Sequence, residues 1–135
     1  MGSAPPSILV VDDDPQVLKL FVRMLEQGGY HVYGVLSGKE AMSYLQERSI
    51  DLLVLDLGMP EPDGFEILES LRAMRSDLMI LAISGLMVRS SLLKAAKVLG
   101  ATATLSKTEA PTRLLLTVNK LLEKKRLAST MEAQN

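Results

Sequence analysis

Short, wholly apolar runs alternate along the chain with longer segments in which apolar residues recur at helical spacing. The apolar runs cover residues 8–11, 52–55 and 79–83, and turn-forming residues bound each of them. Such runs predict strands that are buried on both faces, as in a parallel sheet. Two further strands are predicted, a mixed one over 30–35 that suits a sheet edge and a short one over 101–105.

Amphipathic helices are predicted between these strands. Asp14 and Pro15 match an N-cap and a first helical residue, and Gly28 matches the end of that helix. The predicted inward stripes of the five helices are, in chain order, Val17, Leu20, Phe21, Met24 and Leu25; Met42 and Leu45; Phe65, Leu68 and Leu71; Leu92, Ala96 and Leu99; and Leu114, Leu115, Val118, Leu121 and Leu122. Strict strand–helix alternation predicts an α/β fold, a doubly wound parallel sheet with helices on both faces.

Composition narrows the possible functions. The chain has 135 residues, which is enough for one domain that buries about two thirds of its unfolded surface. A net charge of −1 argues against a broad basic surface for nucleic acid, and the absence of cysteine excludes disulfides and thiolate metal sites. No apolar run approaches the roughly 18 residues of a membrane span, so we expect a cytoplasmic protein with no membrane contact. We expect residues 1–6 to be a flexible lead-in and residues 127–135 a polar tail.

Chemically active side chains follow the predicted strands. They are Asp12 and Asp13 after the first strand, Asp56 at the third, Ser84 at the fourth and Lys107 after the fifth. Ligands of open α/β sheets bind at the carboxyl ends of the strands, so these side chains are predicted to form one site.

Three converging carboxylates repel one another unless a cation lies between them. Mg²⁺ is suited to such a site, because it takes carboxylate oxygens together with water and phosphate oxygens. A lysine and a hydroxyl beside that ion would bind the remaining oxygens of a phosphoryl group. A carboxylate that attacks phosphorus forms an acyl phosphate. The residues therefore predict a Mg²⁺-dependent aspartate that accepts a phosphoryl group.

The sequence resembles the receiver domain of two-component response regulators over residues 7–126. The segments that carry the resemblance are Val10-Val11-Asp12-Asp13-Asp14, Asp56-Leu57-Gly58-Met59-Pro60 with Asp63-Gly64 behind it, Ser84-Gly85, and Lys107. The resemblance implies a flavodoxin-like (βα)₅ fold with strand order 2-1-3-4-5. It also implies a signalling phosphoacceptor rather than an enzyme, one that catalyses only its own phosphoryl transfer and dephosphorylation.

The resemblance also assigns roles to residues. A sensor histidine kinase or a histidine phosphotransfer protein would donate the phosphoryl group to Asp56. Asp13 and Asp56 would bind Mg²⁺ directly, together with the backbone carbonyl of Gly58, and Asp12 would hold the metal through water. Ser84 and Lys107 would bind the phosphoryl group, and Ser84 would move on activation. An unknown output partner or effector domain would read a surface within about residues 88–122.

Two positions depart from the family pattern. Receivers usually carry Tyr or Phe three residues before the lysine, and this chain has Thr104. They usually carry proline after the lysine, in a cis bond, and this chain has Thr108. A cis bond before a residue other than proline costs about 3–4 kcal/mol, so we do not expect one here. Because the aromatic relay is absent, we expect the loop that contains Gly85 to carry the switch.

Three other functions stay open at this stage. A phosphohydrolase of the haloacid-dehalogenase type would place a second acid two residues after its aspartate nucleophile, where this chain has Gly58. A nucleotide-binding domain would have a glycine-rich first turn, whereas residues 12–15 are acidic and end in proline. The third is a receiver-like domain that signals by binding alone. His31, the single histidine, is interpreted as structural rather than as a phosphodonor.

Overall fold

Five parallel strands form one sheet in this computed structural model, which describes residues 4–59, 64–75, 77–85 and 95–134. The strands are β1 Ser7–Val11, β2 His31–Val35, β3 Leu52–Asp56, β4 Met79–Ser84 and β5 Ala103–Ser106. Their order across the sheet is β2-β1-β3-β4-β5, which confirms the predicted fold. β2 lies at an edge, as its mixed sequence indicated.

Helices connect the strands in the expected alternation. Their bounds are α1 Pro15–Gln27, α2 Gly38–Glu47, α3 Gly64–Met74 and a C-terminal helix Ala110–Gln134. Residues 95–98 are also helical. The rest of the helix predicted before β5, including Leu92, lies outside the described residues.

The sheet separates two apolar layers. Alternate residues of each strand point to opposite faces, so Ile8 and Val10 pack with α1 and the C-terminal helix, while Leu9 and Val11 pack with α2 and α3. The three inner strands are buried almost throughout, which explains their unbroken apolar sequences. The sheet thereby becomes a rigid platform for the residues at its carboxyl edge.

Two details of the helices differ from the sequence prediction. Leu20 is 46% exposed, because the buried face of α1 is centred on Phe21 and Leu25, with Leu18 and Val22 beside them. The last helix, expected to end near Arg126, continues to Gln134. Residues 127–134 contain alanine, leucine, methionine, glutamate and glutamine and neither glycine nor proline, a composition that favours helix.

Candidate functional site

The carboxyl ends of four neighbouring strands bring the predicted site residues together. Asp12 follows β1 directly, and its amide donates to the carbonyl of Val35 at 3.2 Å. Asp56 and Ser84 are the last residues of β3 and β4. Lys107 follows β5, and its amide donates to the carbonyl of Ser84 at 2.6 Å. The parallel register therefore places all four at the same edge of the sheet.

Asp12 is a buried carboxylate, with only 1% of its surface exposed. Its Oδ1 accepts a hydrogen bond from the amide of Asp14 at 2.9 Å. Its Oδ2 lies 3.2 Å from Lys107 Nζ and makes no hydrogen bond within the described part of the chain. Burial raises the pKa of Asp12 and the charge of Asp56 adds to this, while the Asp14 amide and Lys107 oppose it.

Asp56 is equally buried, and each of its carboxylate oxygens has a partner. Oδ1 accepts from the amide of Gly58 at 2.9 Å, and Oδ2 accepts from Lys107 Nζ at 3.1 Å. The first turn of α3 lies directly against this strand end. A Cβ at Gly64 would lie 2.5 Å from the carbonyl oxygen of Asp56 and 2.4 Å from the Cα of Leu57. Only glycine fits this close approach of two backbones.

Lys107 bridges the two buried carboxylates. Its Nζ lies 3.1 Å from Asp56 Oδ2 and 3.2 Å from Asp12 Oδ2, with 27% of its side chain exposed. Burial alone would lower the pKa of Lys107, but the charges of Asp56 and Asp12 outweigh this and raise it. The ammonium group is therefore charged at neutral pH and faces two negative charges.

Asp13 completes an acidic cluster. Unlike Asp12 and Asp56 it is exposed, and one carboxylate oxygen of each of the three lies within 4.8 Å of the others. This is the geometry of a site for a hard cation with oxygen ligands, open to water on the Asp13 side. Three clustered carboxylates with one lysine, which contacts two of them, leave an excess of negative charge, so the donor set fits Mg²⁺.

Ser84 has a buried side chain with an unused hydroxyl. The residue is 1% exposed, and its Oγ has no hydrogen-bond partner among the residues that the structure describes. A buried hydroxyl without a partner costs about 1–3 kcal/mol. Such a group is suited to an oxygen-bearing ligand that arrives at the site.

Two further residues, Gly85 and Thr104, are predicted to take part in switching. Gly85 follows β4, and a Cβ placed on it would contact none of the described residues within 4 Å. Thr104 lies on β5 opposite Ala82 and is half-buried. Residues 86–94, which contain the rest of the predicted switch loop, lie outside the described part of the chain.

Sequence reasoning missed a capping motif beside Lys107. Ser106 Oγ donates to Glu109 Oε1 at 3.0 Å, and the amide of Glu109 donates back to Ser106 Oγ at 3.2 Å. The signal was present as Ser-x-x-Glu, the capping-box pattern. Pro111 gives a competing signal, because proline is favoured in the first turn of a helix.

His31 lies far from the acidic cluster. It pairs with Ser7 at the first residues of β2 and β1, whereas Asp12 follows the last residue of β1. Its ring packs edge-on against Tyr33, with the centroids 4.8 Å apart. These contacts support its interpretation as a structural residue.

A parallel sheet in this order, with buried acids, a hydroxyl and a lysine at one edge, defines a receiver domain. The chain belongs to the response regulator receiver domain family, whose family model matches residues 8–119. It is a receiver domain of the two-component response regulators, and the hydrolase alternative is not favoured.

Individual relatives agree with this family. The chain is 39% identical to the transcriptional regulatory protein PrrA of Mycobacterium leprae over 83 residues, covering 62% of this chain and 36% of PrrA. It is 32% identical to the response regulator SaeR of Staphylococcus aureus over 115 residues, covering 85% of this chain and 50% of SaeR. The chain thus spans half or less of the length of these relatives.

Solved structures show the same fold. The chemotaxis protein CheY4 of Vibrio cholerae superposes with a TM-score of 0.79 at 28% identity, over 87% of this chain and 98% of CheY4.

Within the described residues, no helix combines the length and apolar character needed to cross a bilayer.

Proposed function

We propose that Asp56 accepts a phosphoryl group from a phosphohistidine of a sensor kinase or a phosphotransfer protein. The observation that carries this proposal is the position of Lys107 Nζ, which bridges Asp12 and Asp56 at 3.2 and 3.1 Å. At the same edge of the sheet, the buried hydroxyl of Ser84 has no partner among the described residues. Two buried acids, a cation and a hydroxyl are together suited to bind a phosphoryl group.

The acidic cluster would hold Mg²⁺. Asp13 and Asp56 are the direct ligands in this proposal, with the backbone carbonyl of Gly58, and Asp12 acts through water. Bound there, the metal would neutralise charge on the carboxylates and on the phosphoryl oxygens. Burial and the charge of Asp56 raise the pKa of Asp12, and a bound cation would offset this cost of its charge.

In the transfer itself, a carboxylate oxygen of Asp56 forms a bond to phosphorus while the phosphorus–nitrogen bond of the phosphohistidine breaks. The electron pair of that bond leaves with the imidazole. Lys107 is placed to shift from the Asp56 carboxylate to a phosphoryl oxygen, where it neutralises developing charge. The Ser84 hydroxyl, which has no partner within the described part of the chain, would donate to another phosphoryl oxygen.

The output belongs to the same proposal. Ser84 would move toward the phosphoryl group, and Gly85 would allow the backbone of the following loop to move with it. Thr104 offers a small side chain where receivers usually have an aromatic one. An output partner would read the change within about residues 88–122. We further propose a cytoplasmic signalling domain over residues 7–126 that acts on no separate substrate.

Labelling with a small phosphodonor tests this function. Wild-type protein incubated with acetyl phosphate and Mg²⁺ should gain one phosphoryl group by intact mass, stable in acid and lost in base. Asp56→Asn should gain none, and chelation of Mg²⁺ should abolish labelling of the wild type. His31→Gln serves as the control and should label fully. Equal labelling of Asp56→Asn would assign the chemistry to another residue.

A further inference from the structure

We propose that Ser106 and Glu109 are positioning residues that hold Lys107 against the two buried carboxylates. This inference rests on the proposed function, because it concerns how the phosphoryl-binding lysine is kept in place. Neither residue touches Asp12 or Asp56 in any described contact. Their effect on the site would pass through the backbone of the turn over residues 107–109 that they enclose.

Reciprocal hydrogen bonds close this turn. The side chain of Glu109 accepts from both the hydroxyl and the amide of Ser106, at 3.0 and 3.4 Å. The amide of Glu109 donates to the hydroxyl and the carbonyl oxygen of Ser106, at 3.2 and 3.1 Å. Four contacts therefore join the residue before Lys107 to the residue two positions after it.

Among the described residues, no side chain hydrogen-bonds to the backbone of Lys107 or Thr108. The residue after Lys107 is Thr108, so no proline ring restricts the backbone at that point. Thr108 is exposed. On the other side, the backbone amide of Lys107 donates a hydrogen bond to the Ser84 carbonyl at 2.6 Å. The capping contacts thus supply the restraint on the carbonyl side of Lys107.

A fixed backbone matters because a lysine side chain has many rotamers. Holding Nζ between two acceptors costs side-chain entropy, up to about 2 kcal/mol for a lysine. If the turn itself were flexible, ordering its backbone would add a further entropic cost. By closing the turn beforehand, the Ser106–Glu109 contacts reduce what Lys107 loses when it engages the carboxylates or a phosphoryl group.

The chain offers matched variants for a test. Glu109→Ala removes the two contacts that the Glu109 side chain makes with the hydroxyl and the amide of Ser106, whereas Glu109→Gln keeps them, since glutamine serves equally in a capping box. Arg113→Ala is the control for charge, because Arg113 forms an exposed ion pair with Glu109 at 3.8 Å and takes no part in capping. Ser106→Ala removes the two contacts that the Ser106 hydroxyl makes with the side chain and the amide of Glu109.

The primary measurement is the affinity for beryllofluoride, a phosphoryl mimic, in the presence of Mg²⁺. Glu109→Ala and Ser106→Ala should bind about three- to tenfold more weakly than wild type, the range expected when a cap is lost. Glu109→Gln and Arg113→Ala should bind as wild type does. In a Lys107→Ala background, Glu109→Ala should have no further effect, because the residue through which it acts is gone.

A second readout needs neither metal nor mimic. The Nζ resonance of Lys107, protected by its two carboxylate partners, should be visible in wild type and in Glu109→Gln and should broaden in Glu109→Ala. If wild type binds beryllofluoride, and Glu109→Ala shows the same affinity and the same Nζ signal as wild type, the positioning role is overturned and the proposed function is not. A further loss in the Lys107→Ala background would also overturn it, since that indicates general destabilisation. Absence of wild-type beryllofluoride binding would contradict the proposed function, and the Nζ signal would then still decide the positioning role.

Discussion

Replacing Asp12 by asparagine should stabilise the protein when no metal is present. Asp12 is 1% exposed and carries its charge beside Lys107 and Asp56. At an effective dielectric constant of about 20, the attraction to Lys107 Nζ at 3.2 Å is about 5 kcal/mol. Repulsion from an Asp56 oxygen within 4.8 Å is about 3–4 kcal/mol. The small net attraction that remains after this repulsion does not offset the desolvation cost of several kcal/mol for a buried ion.

Asn keeps the shape of the side chain and the acceptor for the Asp14 amide, and it removes the charge. The expected gain is about 1–2 kcal/mol, or about 4–7 °C in melting temperature for a chain of this length. Thermal melts in EDTA at neutral pH measure it. Asp14→Asn is the control and should change little, because Asp14 is the exposed N-cap of α1 and asparagine caps equally well.

The pH dependence gives the same prediction a second check. Since the pKa of Asp12 is raised in the folded protein, its charge costs stability above that pKa, and the cost disappears as the pH falls through it. The wild-type and Asp12→Asn melting temperatures should therefore converge in acid. A variant that melts below wild type at neutral pH in EDTA would refute the reasoning, because the Lys107 ion pair would then outweigh burial.

Two further predictions concern the metal and the turn after β3. Mg²⁺ should raise the wild-type melting temperature as its concentration rises. Asp13→Ala should lose most of this response, because it removes a proposed direct ligand of the metal. Calorimetric titration with Mg²⁺ should show the same loss of binding. An unchanged response would exclude Asp13 from the site. Gly64→Ala should lower the melting temperature by about 4–10 °C, since overpacking costs about 1–3 kcal/mol and its Cβ would lie 2.4 Å from the Leu57 Cα. Wild-type stability of Gly64→Ala would show that α3 can shift away.

Much of the fold could be predicted from periodicity because the inner strands are buried on both faces. Residues 52–55 are unbroken in apolar character for this reason, and Asp56 stands out as the first polar residue after them. The alternation of elements then placed Asp12, Ser84 and Lys107 at one edge. Apolar spacing does not specify how far each helix is rotated about its axis. Leu20 was therefore predicted to face the core, whereas it faces solvent.

Other features depend on contacts between segments distant in sequence. The requirement for Gly64 comes from the backbone of Asp56 and Leu57, seven or more residues earlier, and no local propensity reveals it. Asp12 is buried whereas the adjacent Asp13 is exposed, and two identical consecutive residues do not reveal this difference in the sequence. The link from Glu109 to Lys107 could have been found from sequence, but only by weighing a capping box against a nearby proline.

Chemical trapping shows directly whether Asp56 is the phosphoacceptor. Protein treated with acetyl phosphate and Mg²⁺ is reduced with borohydride, which converts an aspartyl phosphate to homoserine, and is then mapped by peptide mass spectrometry. Homoserine is expected at residue 56 and at no other aspartate, with none formed in EDTA. Homoserine at Asp12 or Asp13 instead, with Asp56 intact, would contradict this expectation.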